Sequence, residues 1–397
     1  MERDGLIESL NGAGSGERLD ALRGLMRMHE SGALERPVTG ANINNHIHTT
    51  YSFSPYSPTK AVYLAWASGL AAAGIVDHDS VGGANEFIEA GRIAGLPVTV
   101  GFECRCSVAD TPFEGRRLNN PNQESAAYLV MHGIPHQMLG EAEKFLAHYR
   151  EKRNERNRKM VDILNRRIKP YGLALDFERD VLPLSQHAGG GSVTERHILY
   201  ALASKLTGKE MPRQFLLGVF KSRLLEDFYV CATDEMAHIT EFVALAGKLG
   251  AIPAYAYLGD VGVSVTGDKK AQAFEDSYLD VLLAYLKGIG IRAVTYMPAR
   301  NSREQLARVK SLCEENGLMQ ISGEDINSAL QGFVCEMIET PEFAHLIDSA
   351  WALIGHELAA SRELAEGIFS AENEASMPKL SDRIEHFANY ARTRRDI

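Results

Sequence analysis

Several features are scarce or absent in this chain of 397 residues. No apolar run approaches the about 18 residues that a membrane-spanning helix needs. The five cysteines are few and odd in number, so we expect reduced thiols and a reducing compartment rather than a disulfide framework. Residues 1–15 lack a basic start followed by an apolar stretch, so we expect no signal peptide and a cytoplasmic protein.

Basic residues are also outnumbered. The 42 Lys and Arg residues against 52 Asp and Glu residues give a formal net charge of −10. This balance argues against a long nucleic acid or a membrane surface as a partner, although it does not exclude a local basic site. The 45% of hydrophobic residues is ordinary for a globular protein with a sizeable core.

From residue 42 onward, short apolar runs alternate with segments of helical period, which is typical of parallel βα units. Seven runs are predicted as strands, which indicates a barrel or a wide doubly wound sheet: 43–48, 71–77, 97–104, 127–134, 251–258, 291–297 and 318–323. The predicted organisation is an N-terminal extension (1–40), a barrel (41–330) that contains a helical insertion (138–234), and a C-terminal helical extension (331–397).

Metal-type ligands stand at the ends of five of these strands, where α/β proteins collect their ligands. The first strand ends in His46-Ile47-His48, and a side-chain period of two turns both imidazoles to one side, as one metal ion requires. The second ends in Asp77-His78-Asp79, three titratable groups that need a cation or hydrogen bonds to offset their burial. Asp79 alone is equally well explained as a helix cap.

The other three strand ends carry Glu103, His132 and Asp325, of which the first and last follow a glycine by two residues. Each residue alone has an ordinary explanation as a solvated strand end or a hydrogen-bonded core residue. Five such ends in register indicate a hydrolytic Zn, Mn or Fe site with more than one ion.

The order of these motifs resembles that of the PHP (polymerase and histidinol phosphatase) family of metal-dependent phosphoesterases, over roughly residues 42 to 330. The Asp-His-Asp form is similar to the branch that includes nucleoside 3′,5′-bisphosphate phosphatases and a small 5′-to-3′ exoribonuclease. The resemblance implies a distorted (β/α)7 barrel of PHP type with a di- or trinuclear centre at its C-terminal mouth.

The insertion carries two further motifs of that branch. Arg153-x-x-Arg156 resembles its Arg-x-x-Arg helix, and Glu195-Arg196-His197 resembles the stretch that supplies a metal-binding histidine. The resemblance implies that His197 is a ligand and that Arg153, Arg156 or Arg196 holds a substrate phosphate. Without the resemblance, the basic stretch from 150 to 169 is typical of a solvated helix face.

The sequence also departs from the family pattern. Phe53 stands where an Asp is usual, Asn327 replaces the final His, and Tyr255 stands in the usual Leu-Ala-His-Pro strand end. His132 lies two residues further along its strand than the usual ligand.

These losses, taken with the resemblance, imply a dinuclear centre that Glu103 bridges. One ion is expected at His46, His48, Glu103 and Asp325, and the other at Glu103, His132 and His197. His78 and Asp77 are expected either to form a third, weak or vacant, ligand set or to orient the other ligands. Tyr255 is expected to offer its hydroxyl to substrate.

The expected function is hydrolysis of a small phosphate monoester or diester by a metal-bound hydroxide, with two or three Zn, Mn or Fe ions as cofactors. His78 or Asp77 is the expected proton donor to the leaving group, and a substrate of one or two nucleotides is one candidate. Two rivals stay open: an amidohydrolase-like hydrolase of an amide or non-phosphate ester, and a degenerate PHP domain that binds without turnover. The oligomeric state is open too.

Overall fold

The computed structural model describes residues 3–36, 38–206, 213–262 and 272–394. No helix within these ranges is both long and apolar enough to cross a bilayer. The described ranges contain eight strands: β1 (Ile43–Ile47), β2 (Ala72–His78), β3 (Val98–Ser107), β4 (Ala126–His132), β5 (Ala237–His238), β6 (Ile252–Ala256), β7 (Ala293–Tyr296) and β8 (Met319–Ser322).

Seven of the strands curl into a nearly closed barrel in the order β1-β2-β3-β4-β6-β7-β8, while the short β5 pairs with β3. The gap between β8 and β1 is bridged just beyond β8, where Ile326 exchanges backbone hydrogen bonds with His46 and His48. All seven predicted strands are present, and the predicted fold class, a distorted barrel with helical additions, is confirmed. Only β5 was not predicted.

One strand runs against the predicted parallel direction. β4 is antiparallel to both β3 and β6, because the segment between β3 and β4 contains turns but no crossover helix. The carboxyl end of β4 therefore lies at the base of the barrel, where His132 pairs with Ile252 at the start of β6. The expectation that His132 stands at the same edge as the other strand ends was wrong for this reason.

Fourteen α-helices lie within the described ranges, and their ends follow local sequence signals. Ser57 and Ser302 accept N-terminal hydrogen bonds, and Gly95 and Gly250 end helices in the left-handed conformation. The helices are α1 (Arg3–Ser9), α2 (Ser15–Glu30), α3 (Pro58–Ala67), α4 (Ala84–Ala94), α5 (Leu139–Ile168), α6 (Glu195–Leu206), α7 (Arg213–Arg223), α8 (Leu225–Phe228), α9 (Ile239–Leu249), α10 (Leu279–Ile289), α11 (Arg303–Asn316), α12 (Ala344–Ala360), α13 (Ala371–Ser376) and α14 (Leu380–Arg392).

Helix α12 closes the base of the barrel. Its Leu353 shares an apolar cluster with side chains such as Val76 and Val130, which lie on strand faces that point into the barrel. Helix α14 packs closely on α12. This approach is possible because Gly355 has no side chain, since any Cβ there would collide with the backbone of Phe387. The open end of the barrel is therefore the opposite one, where the parallel strands end.

The helices between β4 and β5 have an apolar core of their own, which includes Met160, Leu164, Phe177 and Phe228. At the other side of the molecule, α2 packs on α4, and a buried ion pair joins Arg18 to Glu86. The predicted boundaries of the insertion and the two extensions stay predictions.

A buried carboxylate fixes α12 to the barrel, and its removal should destabilise the fold. Glu357 accepts hydrogen bonds from the Val100 backbone N–H at 2.8 Å and from His136 Nε2 at 2.9 Å. We expect Glu357→Ala to lower the free energy of unfolding by about 1–3 kcal/mol, because it leaves a buried N–H unpaired. Glu357→Gln, which keeps an acceptor, should lose less. Denaturant titration measures both, with the exposed Glu363→Ala as the control; equal loss in the Gln and Ala variants would contradict this role.

Candidate metal centre

A cavity of about 420 Å³ opens at the end of the barrel where the parallel strands finish. Its floor contains the predicted ligands His46, His78, Glu103 and Asp325, while the insertion supplies much of the facing wall. A volume of this size suits a small molecule rather than a polymer.

Three buried side chains converge on one point at this floor, where His46 and Glu103 border the cavity and His48 lies behind them. The ligand atoms of His46, His48 and Glu103 all lie within 4.8 Å of one another. The two imidazoles project to the same side of β1, as the period of two predicts, and their ring centroids are 5.0 Å apart. Among the residues that the structure describes, no other group of three or more His, Cys, Asp or Glu side chains converges in this way.

Two further predicted residues contact this cluster. An oxygen of Asp325 lies 3.1 Å from His48 Nε2, and Asn327 donates a hydrogen bond of 2.7 Å to the same oxygen. His78 stacks on His48 with a centroid distance of 4.5 Å, and its Nδ1 lies 3.0 Å from Glu103. Asn327, which departs from the histidine that the resemblance implies, thus orients the Asp325 carboxylate instead.

Burial sets the charge states of the cluster. It lowers the pKa of His46, and it lowers that of His78 to about 3 with help from His48. It raises the pKa of Glu103 against the opposing effect of the imidazoles. Burial would also raise the pKa of Asp325, but His48 holds it well below its usual range. Burial would lower the pKa of His48, but Asp325 in turn raises it, so binding of a metal ion, which requires neutral imidazoles, would displace a proton from His48.

These residues fit a divalent ion. His48 Nε2 is buried 3.1 Å from an oxygen of Asp325, so a ring nitrogen and a carboxylate oxygen, both ligand types of a divalent ion, face each other. Two imidazoles and a carboxylate form a donor set that zinc, manganese and iron all accept.

Asp77 has a different position from the one expected of a proton donor. It is buried and accepts three hydrogen bonds of 2.6 Å, from the Thr49 backbone N–H, the Thr49 hydroxyl and the Ser52 hydroxyl. It is not among the residues that line the cavity. The structure therefore favours the alternative in which Asp77 orients the chain that follows His48.

The second predicted ligand set is not brought together within the described residues. His132 lies deeper in the barrel, and its Nε2 is buried without a hydrogen bond. His197 Nδ1 accepts a hydrogen bond of 3.0 Å from the Thr194 backbone N–H, at the start of α6. The edge of the Phe53 ring packs on His197, with 4.9 Å between centroids.

Two of the three predicted phosphate-binding arginines are held in buried ion pairs. Arg153 contacts Asp79 at 2.5 Å, and Arg156 contacts Glu235 at 2.5 Å and also Glu195. Arg153 still borders the cavity, whereas Arg156 does not. Arg196 borders the cavity and forms no ion pair with any described residue; its guanidinium lies 6.0 Å from the Phe53 ring centre.

Tyr255 is not at the cavity. The alternation of β6 turns Ala256 towards the cavity and Tyr255 into the apolar layer behind the sheet, where it is fully buried. Burial raises the pKa of its hydroxyl, and the nearby Glu275 adds to this effect. The position does not support the expected contact with substrate.

The polar residues on the cavity wall that were not predicted include Arg105, Tyr128, Lys221 and Arg300. The period of two did contain the signal for Arg105, two residues after Glu103, and for Tyr128, which shares a strand face with His132. Lys221 and Arg300 come from α7 and from the segment after β7, where no motif marks them. Arg196 lowers the pKa of Lys221 to about 8.

No protein-family model matches the sequence, and no curated protein matches it either. Solved structures do resemble it. A candidate metal-dependent phosphoesterase from Bifidobacterium adolescentis shares 20% identity with a TM-score of 0.55, over 76% of this chain and 93% of that chain. An amidohydrolase from Chromobacterium violaceum, solved with bound sulfate and no metal, shares 20% identity with a TM-score of 0.55, over 74% of this chain and 90% of that one. At such identities the similarity establishes the fold.

Loss of the Asp77 carboxylate should weaken metal binding, although Asp77 does not reach the ligand cluster. We expect Asp77→Ala to lower the affinity for Zn or Mn by about 10–100-fold, because Thr49 and Ser52 then no longer hold the chain beside His48. Titration against a chelating dye measures the affinity. The metal affinity of Asp77→Asn should fall between those of the unchanged protein and Asp77→Ala, and the exposed Asp162→Ala serves as the control. An unchanged affinity in Asp77→Ala would refute the role of Asp77.

Proposed function

We propose that this chain is a metal-dependent hydrolase of a small phosphate ester. The observation that carries the proposal is the buried His46, His48 and Glu103 cluster on the floor of a cavity whose other walls carry cations. A metal-type donor set facing unpaired cations suits a substrate with a compact negative charge.

The chemistry that a divalent ion supplies, when His46, His48 and Glu103 hold it, is activation of water near neutral pH and polarisation of a phosphoryl oxygen. Asp325 and His78 would keep His48 and Glu103 in place through their short contacts. Asn327 and Asp77 would act through these residues rather than on the substrate.

Arg196 and Lys221 are the side chains that we assign to phosphate oxygens, with Arg300 on the opposite wall. All three border the cavity, and none forms an ion pair with a residue in the described ranges. Arg153 and Arg156 are less suited, because carboxylates already neutralise them. A guanidinium without a partner is free to bind a phosphate in a bidentate way.

A leaving oxygen would take its proton from the cavity wall. Lys221 is one source, because a group whose pKa is about 8 is mostly protonated at pH 7 yet gives up its proton readily. His78 keeps its predicted place in the cavity, but with a pKa of about 3 it is neutral at pH 7 and is not suited to donate a proton. Asp77 is not a source, since it does not border the cavity.

The relatives in fold support the same reaction class. One is described as a candidate metal-dependent phosphoesterase, and the other holds sulfate, an anion with the shape of phosphate. The second is also described as an amidohydrolase, which keeps hydrolysis of an amide or non-phosphate ester as the alternative. A substrate of nucleotide size remains our proposal for the ligand class.

A substrate panel tests the proposal. We expect the purified full-length protein, supplied with Mn or Zn, to hydrolyse a generic phosphomonoester or phosphodiester and to leave amides and lactones intact. His48→Ala should reduce the rate to background, while the exposed His386→Ala should not change it. Turnover of amides or lactones alone would support the amidohydrolase alternative, and metal binding without any turnover would support the degenerate domain.

The Arg196 side chain should contribute to substrate affinity. We expect Arg196→Gln to raise KM for a phosphoester about tenfold or more, because a hydrogen bond to a charged group contributes about 1.5–3 kcal/mol. Thermal stability should stay unchanged. Arg158→Gln on α5 is the matched control, since Arg158 pairs with Glu178 away from the cavity. An unchanged KM in Arg196→Gln would remove this residue from the substrate site.

A further inference from the structure

We propose that this chain builds a centre for one divalent ion, at His46, His48 and Glu103, and that its own side chains close the position of the second ion that the motifs imply. The proposal rests on the metal dependence proposed above, but not on the identity of the substrate. It replaces the dinuclear centre that the motifs alone imply.

The first argument concerns the tautomer of His197. Thr194 is the residue before α6, and its backbone N–H donates to His197 Nδ1 at 3.0 Å. Since a backbone N–H can only donate, Nδ1 must hold a lone pair. Burial lowers the pKa of His197 to about 3, so the ring is neutral and its single proton sits on Nε2. A protonated ring nitrogen cannot bind a metal ion, and Nδ1 is already in use.

The hydrogen bond also gives His197 a structural role. His197 is three residues after Thr194, which is the position of the Glu or Gln in a capping box. Its imidazole accepts a hydrogen bond from the backbone N–H of Thr194, the residue before the helix, as a Glu or Gln side chain would do. Coordination of a metal ion by the ring would cost the helix this cap.

Phe53 covers the imidazole of His197. Its ring packs edge-on against His197 and lies 6.1 Å from the ring centre of Tyr200, so apolar surface covers the imidazole. The usual Asp at this position would instead offer a carboxylate oxygen. Phe53 and the hydrogen bond from Thr194 therefore have the same effect, because Nδ1 of His197 is already in use and apolar surface covers the ring.

The third argument concerns the level of His132 in the barrel. Val130 is the residue of β4 that pairs with Glu103, so an apolar side chain stands at the height of the ligand cluster. His132 lies two residues further towards the base, about 7 Å at the usual rise of a strand. His132 is therefore set back from Glu103, although its buried Nε2 makes no hydrogen bond and burial and His46 lower its pKa. Without His197 it does not complete a second ligand set among the described residues.

Side chains replace the missing positive charge in this arrangement. A phosphate ester in a site with one ion meets less metal charge than in a site with two or three. Arg196, Lys221 and Arg300 line the cavity, and none forms an ion pair with the part of the chain that the structure describes. Fixed cations of this kind can stabilise phosphoryl charge as additional ions would.

Metal stoichiometry tests the inference without an activity assay. Full-length protein is stripped with a chelator, reloaded with excess Mn²⁺, freed of unbound ion and analysed by elemental mass spectrometry and electron paramagnetic resonance. We expect one ion per chain with the spectrum of an isolated Mn²⁺. His48→Ala should lose the ion, whereas His197→Gln should keep it, because Gln preserves the cap and His197 is not a ligand.

The outcomes separate the two proposals. Two ions per chain, a spectrum of coupled Mn²⁺ ions, or loss of an ion in His197→Gln would overturn the single-ion centre and leave the proposed hydrolase standing. No bound ion under any loading condition would overturn both. His132→Leu provides a second variant: an unchanged stoichiometry of one supports the inference, and a fall in stoichiometry in a folded protein contradicts it.

Discussion

The buried carboxylate of Glu103 is the group on which the rest of the site depends. A charged group without compensation costs several kcal/mol to bury, and burial keeps two of the imidazoles beside Glu103, His46 and His78, largely uncharged. The third, His48, is paired with Asp325 instead. His78 donates one hydrogen bond to it, which does not balance a full negative charge. A cation between Glu103, His46 and His48 would resolve the imbalance. The adjacency of β1, β2 and β3 makes this possible, because three consecutive parallel strands end side by side.

A second set of buried charges lies one layer above and balances itself. Arg105, Arg153 and Arg156 are interleaved with Asp79, Glu195 and Glu235, so three cations meet three carboxylates away from water. Removing one member would leave an uncompensated buried charge, which is far more costly than losing a surface pair. This network fixes the insertion over the second strand end. It also explains why arginines with the spacing of a phosphate-binding motif can have a mainly structural role here.

Local periodicity was sufficient for the barrel strands and for the core of the site, whereas the choice of a barrel over a doubly wound sheet came from the family resemblance. Alternating runs predicted all seven barrel strands, and the period of two placed His46 beside His48. Tertiary contacts decided the rest. The direction of β4 depends on a loop without a helix, the fate of His197 on one backbone N–H, and the roles of Arg153 and Arg156 on carboxylates distant in sequence. Lys221 and Arg300 carry no local pattern, so only the folded chain brings them to the cavity.

The reversal of β4 has a mechanical consequence. Because that strand ends at the base, the insertion begins beside α12, where His136 meets Glu357, and α5 must climb the outside of the barrel to reach the mouth. Its 30 residues form one continuous helix, which rises about 21 Å between Leu139 and Arg153. The insertion that covers the site is thus attached, through one long helix, to the opposite end of the barrel. Helix α12 at the base, helix α5 and the insertion over the site are therefore mechanically connected, and a displacement of one should move the others.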